Sequence, residues 1–302
     1  MFIPTGDRPN PQNFTPWVNY SLIAINVFVY VAVTVPLSMA GADPNADSTR
    51  EWMQMALRMT ESPHAVRQAL SSQTAYDMVV YAHGFKSGAM QLTDLFSSMF
   101  LHGGFMHLAG NMLFLWIYGD NVEHRLGRWN YLGVYLLAGI AAALFFGALN
   151  PDSFIPMVGA SGAISGVLGL YFFLFPANEV RVFVWFFYIA RTLYLKARWV
   201  LGLYVVWDNL LPMAMGTSSG VAYGAHIGGF FFGLIAGGVA TKFVSRSKAR
   251  DGMSKADFHM KMARHRMEQG QDISAYQHLQ KAMKLDPSLS DEARALMSEI
   301  AR

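Results

Sequence analysis

The sequence predicts an all-α polytopic membrane protein, a bundle of six membrane-crossing helices followed by a small soluble helical segment. Three observations carry that prediction. Hydrophobic residues fill 53% of the 302 positions and charged residues only 14%, against about a quarter charged in soluble chains. Six apolar runs approach the roughly 20 residues that a helix needs to cross the hydrocarbon core. From Ser245 onward the chain becomes polar and helix-forming, so the membrane region ends there.

Residues 1–16 hold one Arg, one Asp and four Pro, unlike the basic stretch and apolar core of a cleaved signal. They are predicted to be a cytoplasmic N-terminal segment, and the first apolar run a retained helix. The membrane domain is predicted over residues 17–244, with spans at 17–37, 104–118, 131–149, 158–175, 199–211 and 225–244. The long connection 39–101 forms an outer loop of amphipathic helices, for example 47–59, with apolar residues at helical spacing. Met53, Met55 and Met59 there read as packing and not as a soft-metal box, because Met is an ordinary apolar filler. Residues 180–195 mix aromatics with Arg181 and Arg191 and suit an interfacial segment before the fifth span. In the cytoplasmic tail, 245–302, helices are expected at 255–268, 273–285 and 291–301, separated by Gly270 and Pro287. The phrase AYQHLQKAMKLDP is similar to the second helix of a tetratricopeptide repeat. One such unit falls short of the three or so that a solenoid needs, so the tail calls for a docking partner that the sequence does not name.

Basic residues orient the bundle. Arg125 and Arg128 follow the second span. Arg181, Arg191, Lys196 and Arg198 follow the fourth, and Lys242, Arg246, Lys248 and Arg250 follow the sixth; the loops 150–157 and 212–224 carry neither Lys nor Arg. Short cytoplasmic loops collect Lys and Arg, which places both termini in the cytoplasm of a multi-pass protein, by expectation in a bacterial inner membrane. The absence of cysteine excludes disulfides, thiol catalysis and thiolate metal sites. A net charge of +3 with scattered basic residues argues against a nucleic-acid partner.

Polar residues inside membrane helices are costly and therefore functional candidates. The second span opens with HGGFMHLAGN, the fourth with GASGAISGVLG and the sixth with GAHIGGFFFG. All three enter from the outside, so His107, Asn111, Ser161 and His226 fall within the first turns below the outer surface. His107 and Asn111 are four apart, on one helix face. Gly162, Ser165, Gly166 and Gly169, with Gly229 and Gly233, make small-residue stripes that let membrane helices approach closely. That approach brings the Ser161 hydroxyl within reach of the His226 imidazole, as activation of a serine by a base demands, and the histidine can return the proton to a leaving amine. A His side chain, an Asn side chain and the Ser161 backbone N–H could stabilise an oxyanion, helped by the dipole at the start of the fourth span. No acidic third member is evident, which leaves a dyad. Asp208 and Asn209, near the outer end of the fifth span, are expected on a water-facing rim. Without HExxH, the three histidines at 102, 107 and 226 do not read as a zinc-protease site, and neither a metal nor a cofactor is required.

The combination of HxxxN at His107 and Asn111, GxSG at residues 159–162 and AHxGG at residues 225–229, in that order, resembles the rhomboid family over about residues 17–244. The resemblance implies a rhomboid-like six-helix fold, with Ser161 as nucleophile, His226 as general base, and His107 and Asn111 as oxyanion-hole side chains. His102, in the phrase MFLHGGFMH, would be structural, as would Gly159 and Gly162. EHRLG at residues 123–127 fits the turn between the second and third spans. The implied activity is that of an intramembrane serine endopeptidase cutting single-span transmembrane proteins near the outer face of the lipid bilayer. One departure is visible: some family members carry an aromatic four residues after the nucleophile that stacks on the base histidine, whereas this chain has Ser165. Contacts elsewhere must then position His226. The alternative function is a non-catalytic rhomboid-like factor that binds transmembrane helices, against which the presence of both Ser161 and His226 argues.

Overall fold

A computed structural model describes residues 2–11, 13–186, 189–216, 221–250, 255–269 and 271–300. It divides by internal contacts into two compact units, Met1–Gly238 and Val239–Arg302.

The first unit begins with strand β1 (Phe2–Arg8) and helix α1 (Trp17–Val29), which continues through a wide π turn (Tyr30–Thr34) into α2 (Val35–Ser38). The long connection 39–101 then forms α3 (Asp47–Thr60), α4 (Pro63–Leu70), α5 (Ala75–His83) and the short α6 (Asp94–Ser97). Helices α7 (Phe105–Leu126) and α8 (Arg128–Leu149) follow, parted only by Gly127 at φ +80°. Then come α9 (Ser161–Leu174), strands β2 (Glu179–Phe186) and β3 (Ile189–Lys196), α10 (Ala197–Val205), a second π turn (Val206–Leu210), α11 (Leu211–Ala214) and α12 (Tyr223–Arg250). In the second unit α13 (Lys255–Glu268), α14 (Asp272–Leu285) and α15 (Ser290–Ile300) pack through Met260, Ala263, Leu279, Ala282 and Ala293. These match the helices expected in the tail, apart from Ala301, which lies outside the described residues.

Trp17–Ser38, Arg128–Leu149 and Tyr223–Thr241 are long and apolar enough to cross a membrane, and Asp94–Phe100 with Phe105–Leu126 make a fourth crossing if that pair, bent by 96°, counts as one. The protein is an integral membrane protein built as a helical bundle. The expected six crossings go beyond what these criteria establish, for two physical reasons. Helix α9 is short and sits inside the bundle, with every residue from Gly162 to Tyr171 buried. The fifth segment is interrupted by the π turn after α10.

The interfacial segment expected over residues 180–195 takes the form of two antiparallel strands, β2 and β3, and the N-terminal segment supplies the third, in the order β1-β2-β3. A two-residue period explains it. Val180 and Val182 are fully buried against the bundle core while Arg181 between them is exposed. Glu179 on the central strand accepts from Arg8 of β1 at 2.6 Å and from Lys196 of β3 at 3.1 Å, and these cationic neighbours hold its carboxyl below the usual carboxylate range.

Buried polar groups on the same side tie α1, α7 and α8 together. Glu123, fully buried, accepts from the backbone N–H groups of Asn19 at 2.7 Å and Val18 at 3.2 Å. It thereby satisfies donors that the first turn of α1 would otherwise leave orphaned. Asn19 donates to the Leu115 carbonyl at 2.9 Å and accepts from the Tyr131 hydroxyl at 2.8 Å. The EHRLG phrase thus serves α1 as well as the turn it was expected to form.

Candidate active site

Ser161 is the first residue of α9, and three backbone features set its place. Gly159 has φ +123°, a conformation that side chains disfavour, and its N–H donates to the Ser98 carbonyl at 2.8 Å. Phe85 and Met157 exchange backbone hydrogen bonds of 3.0 and 2.8 Å, so the connection 39–101 grips the approach to α9 at two points. A Cβ on Gly159 would lie 2.7 Å from His107 Nε2. Glycine there lets the His107 ring sit beside the segment leading into Ser161.

His226 is on the first turn of α12. The small-residue stripes face each other as expected: a Cβ on Gly229 would collide with the Gly162 carbonyl, and one on Gly233 with the Gly166 carbonyl. With the two backbones that close, His226 Nε2 lies 2.8 Å from Ser161 Oγ.

On α7, His107 and Asn111 lie one turn apart, and both line a cavity of about 1080 Å³ that also receives Ser161, His226 and Tyr204. Asn111 Nδ2 lies 2.9 Å from His102 Nε2, and the His102 and His107 rings meet edge to face with centroids 5.1 Å apart. The Tyr76 hydroxyl from α5 donates to the His102 carbonyl at 2.8 Å and accepts from its N–H at 3.0 Å. His102 is thus fixed by Tyr76 of α5 and in turn holds the Asn111 amide. An amide nitrogen carries two N–H groups, so Asn111 retains a second donor besides the one spent on His102. Among the described residues no group of three His, Asp or Glu side chains could hold a metal ion.

Asn209 is the functional candidate that sequence reasoning misplaced. It was expected on a water-facing rim beside Asp208, yet it is buried, 2% exposed, and its Oδ1 lies 2.7 Å from His226 Nδ1. Its neighbour Asp208 lines a different cavity with Phe2, Phe114 and Trp207. Both sit in the π turn Val206–Leu210, where the Leu211 N–H reaches back to the Val206 carbonyl, and successive side chains of a helix point roughly 100° apart, so the two face different surroundings. Ser165, four residues after Ser161, is fully buried inside the bundle.

The family profile described as Rhomboid domain matches residues 89–243. Among curated proteins, the chain is 34% identical over 161 residues to "Rhomboid protein 1, mitochondrial" of Saccharomyces cerevisiae, covering 52% of this chain and 44% of that one. It is 30% identical to "Rhomboid-type serine protease 2" of Emericella nidulans, over 53% of this chain and 29% of that one. It is 31% identical to "Rhomboid protease GluP" of Bacillus subtilis, over 47% of this chain and 25% of that one. The matches span less than half the length of each of these relatives.

Proposed function

Because the chain belongs to the rhomboid family, whose members include proteins named as serine proteases, we propose that it is an intramembrane serine endopeptidase acting through Ser161 and His226. The observation that carries this reading is the 2.8 Å contact between His226 Nε2 and Ser161 Oγ in a cavity lined by polar groups. Ser161 Oγ attacks the scissile carbonyl carbon while His226 Nε2 takes its proton. The tetrahedral oxyanion forms beside the first turn of α9, where the Ser161 backbone N–H, the His107 side chain and the spare Asn111 N–H can donate to it. Collapse expels the amine, which recovers the proton from His226. Water, activated by the same histidine, then releases the acyl group from Ser161.

The substrates are transmembrane proteins with a single span. Carbonyls of a membrane helix are bonded within the helix, so a substrate must unwind locally before Ser161 can reach one. The charge distribution of the loops supports cytoplasmic termini and cleavage near the outer face. The relatives include one named mitochondrial and one from a bacterium, so the expected bacterial inner membrane is not favoured over a mitochondrial one.

A serine-directed fluorophosphonate tests the nucleophile. The full-length protein in detergent is expected to be labelled, with the adduct located on Ser161 by peptide mass spectrometry, and Ser161→Ala to remain unlabelled. Equal labelling of Ser161→Ala would refute the assignment.

A further inference from the structure

We infer that Asn209 is a positioning residue for the reaction, holding His226 in the one neutral tautomer that can accept a proton from Ser161. The inference rests on the proposed serine mechanism and adds to it a third member, contributed by the fifth segment.

The orientation of the Asn209 amide decides the matter. Its Nδ2 donates to the Tyr204 carbonyl at 3.0 Å, and a carbonyl only accepts. The nitrogen therefore faces Tyr204, and Oδ1 is the atom that faces His226 Nδ1 at 2.7 Å. An amide oxygen cannot donate, so Nδ1 must carry the hydrogen. A neutral imidazole has one N–H, and the proton on Nδ1 leaves Nε2 with its lone pair directed at Ser161 Oγ, 2.8 Å away. The opposite tautomer would set two hydrogen-bond acceptors face to face at Nδ1 and give Nε2 nothing to accept with. When His226 takes the serine proton, the same oxygen faces the N–H of a cation, and charge-assisted bonds are the stronger ones. The third position of serine and cysteine hydrolases is defined by this geometry and not by a carboxylate, since Asn fills it in some cysteine proteases.

Asn209 lies in the π turn, and its amide nitrogen reaches the carbonyl five residues before it while Asp208 faces another cavity. Asn209 is 2% exposed, and a buried amide with both ends bonded is held in one rotamer. This supplies the positioning contact that Ser165 cannot.

The test uses the full-length protein and a single-span reporter substrate, with kcat and KM measured for the native chain, Asn209→Leu and Asn209→Asp. Asn209→Leu matches the volume and removes the acceptor. It is expected to lower kcat at least about 10-fold and up to about 10⁴-fold, the loss that follows when the base histidine of a serine protease is left in the wrong tautomer, with KM within about twofold. Asn209→Asp retains an acceptor toward Nδ1 and is expected to recover kcat to within about tenfold of native. In a His226→Ala background, Asn209→Leu should cause no further loss, because a residue acting through His226 has nothing left to position. Native kcat in Asn209→Leu, or an additional loss in the His226→Ala background, would overturn the inference. If Asn209→Leu does not fold, Asn209→Asp decides: a folded protein with kcat near native supports the role, and one with kcat 100-fold down refutes it. Fluorophosphonate labelling separates the two levels. Absence of a Ser161 adduct in the native chain removes the serine mechanism and this inference with it, whereas a native adduct with unimpaired Asn209→Leu removes only the inference.

Discussion

At the scale of single residues, the site divides into positions that local spacing reveals and one that it conceals. His107 and Asn111 lie four apart on one helix, and Ser161 and His226 sit beside glycine stripes, so their convergence follows from helical geometry. Asn209 does not announce itself, because an apolar run marks the extent of a helix and not which of its faces meets the partner helices; only the fold brings Asn209 to His226. The signal available was Ser165 itself, whose failure to support the base implied another supporter, but neither its identity nor its helix. Asn111 is legible as a candidate, whereas its dependence on His102 and Tyr76 is not, since Tyr76 lies 26 positions from His102. Removing one oxyanion donor costs about 10² to 10³ in rate. Asn111→Ala is accordingly expected to lower kcat on this scale with little change in KM. A rise in KM with kcat unchanged would make Asn111 a substrate-binding or structural residue.

At the scale of elements, the helices were readable from apolar runs, and the sheet was not. β1 contains Pro4 and Gly6, both poor strand residues, and its register shifts between them. Its partner β2 lies about 175 positions away, a pairing that no local pattern encodes. What fastens β1 to the bundle is Asp7, which accepts from the Tyr171 hydroxyl of α9 and from Asn121 Nδ2 of α7, the latter at 2.8 Å. Burial, reinforced by the nearby Asp120 carboxylate and opposed by the Tyr171 hydrogen bond, pushes the Asp7 carboxyl from an ordinary 3.8 to about 7. A raised carboxyl favours the protonated form in the docked state. The linked stability is therefore fully present below about pH 4, falls as the undocked carboxyl ionises, and is lost once pH passes about 7. Hydrogen exchange of the β1 and β2 amides, corrected for intrinsic rates, is expected to be faster at pH 8 than at pH 5 in the native chain and equally slow at both in Asp7→Asn. Identical protection of the native strands at both values would show that Asp7 does not control docking.

At the scale of the whole molecule, composition points to a membrane bundle, the charge pattern carries the proposal that its ends are cytoplasmic, and the family match over residues 89–243 covers the part that carries the proposed site. The number of crossings was less legible than the number of apolar segments. α9 achieves its burial inside protein and has no need of the length a lipid-facing helix requires. The tail forms a small helical unit with its own core, and none of the proposed catalytic residues lies within it. The central claim is that Ser161 of this bundle hydrolyses peptide bonds in membrane-spanning substrates. The measurement that tests it most directly is incubation of the purified full-length protein, in liposomes, with a single-span reporter substrate, with fragment masses read by mass spectrometry. The account predicts one cut near the outer end of the reporter's span by the native chain and none by Ser161→Ala; cleavage at the native rate by Ser161→Ala would contradict it.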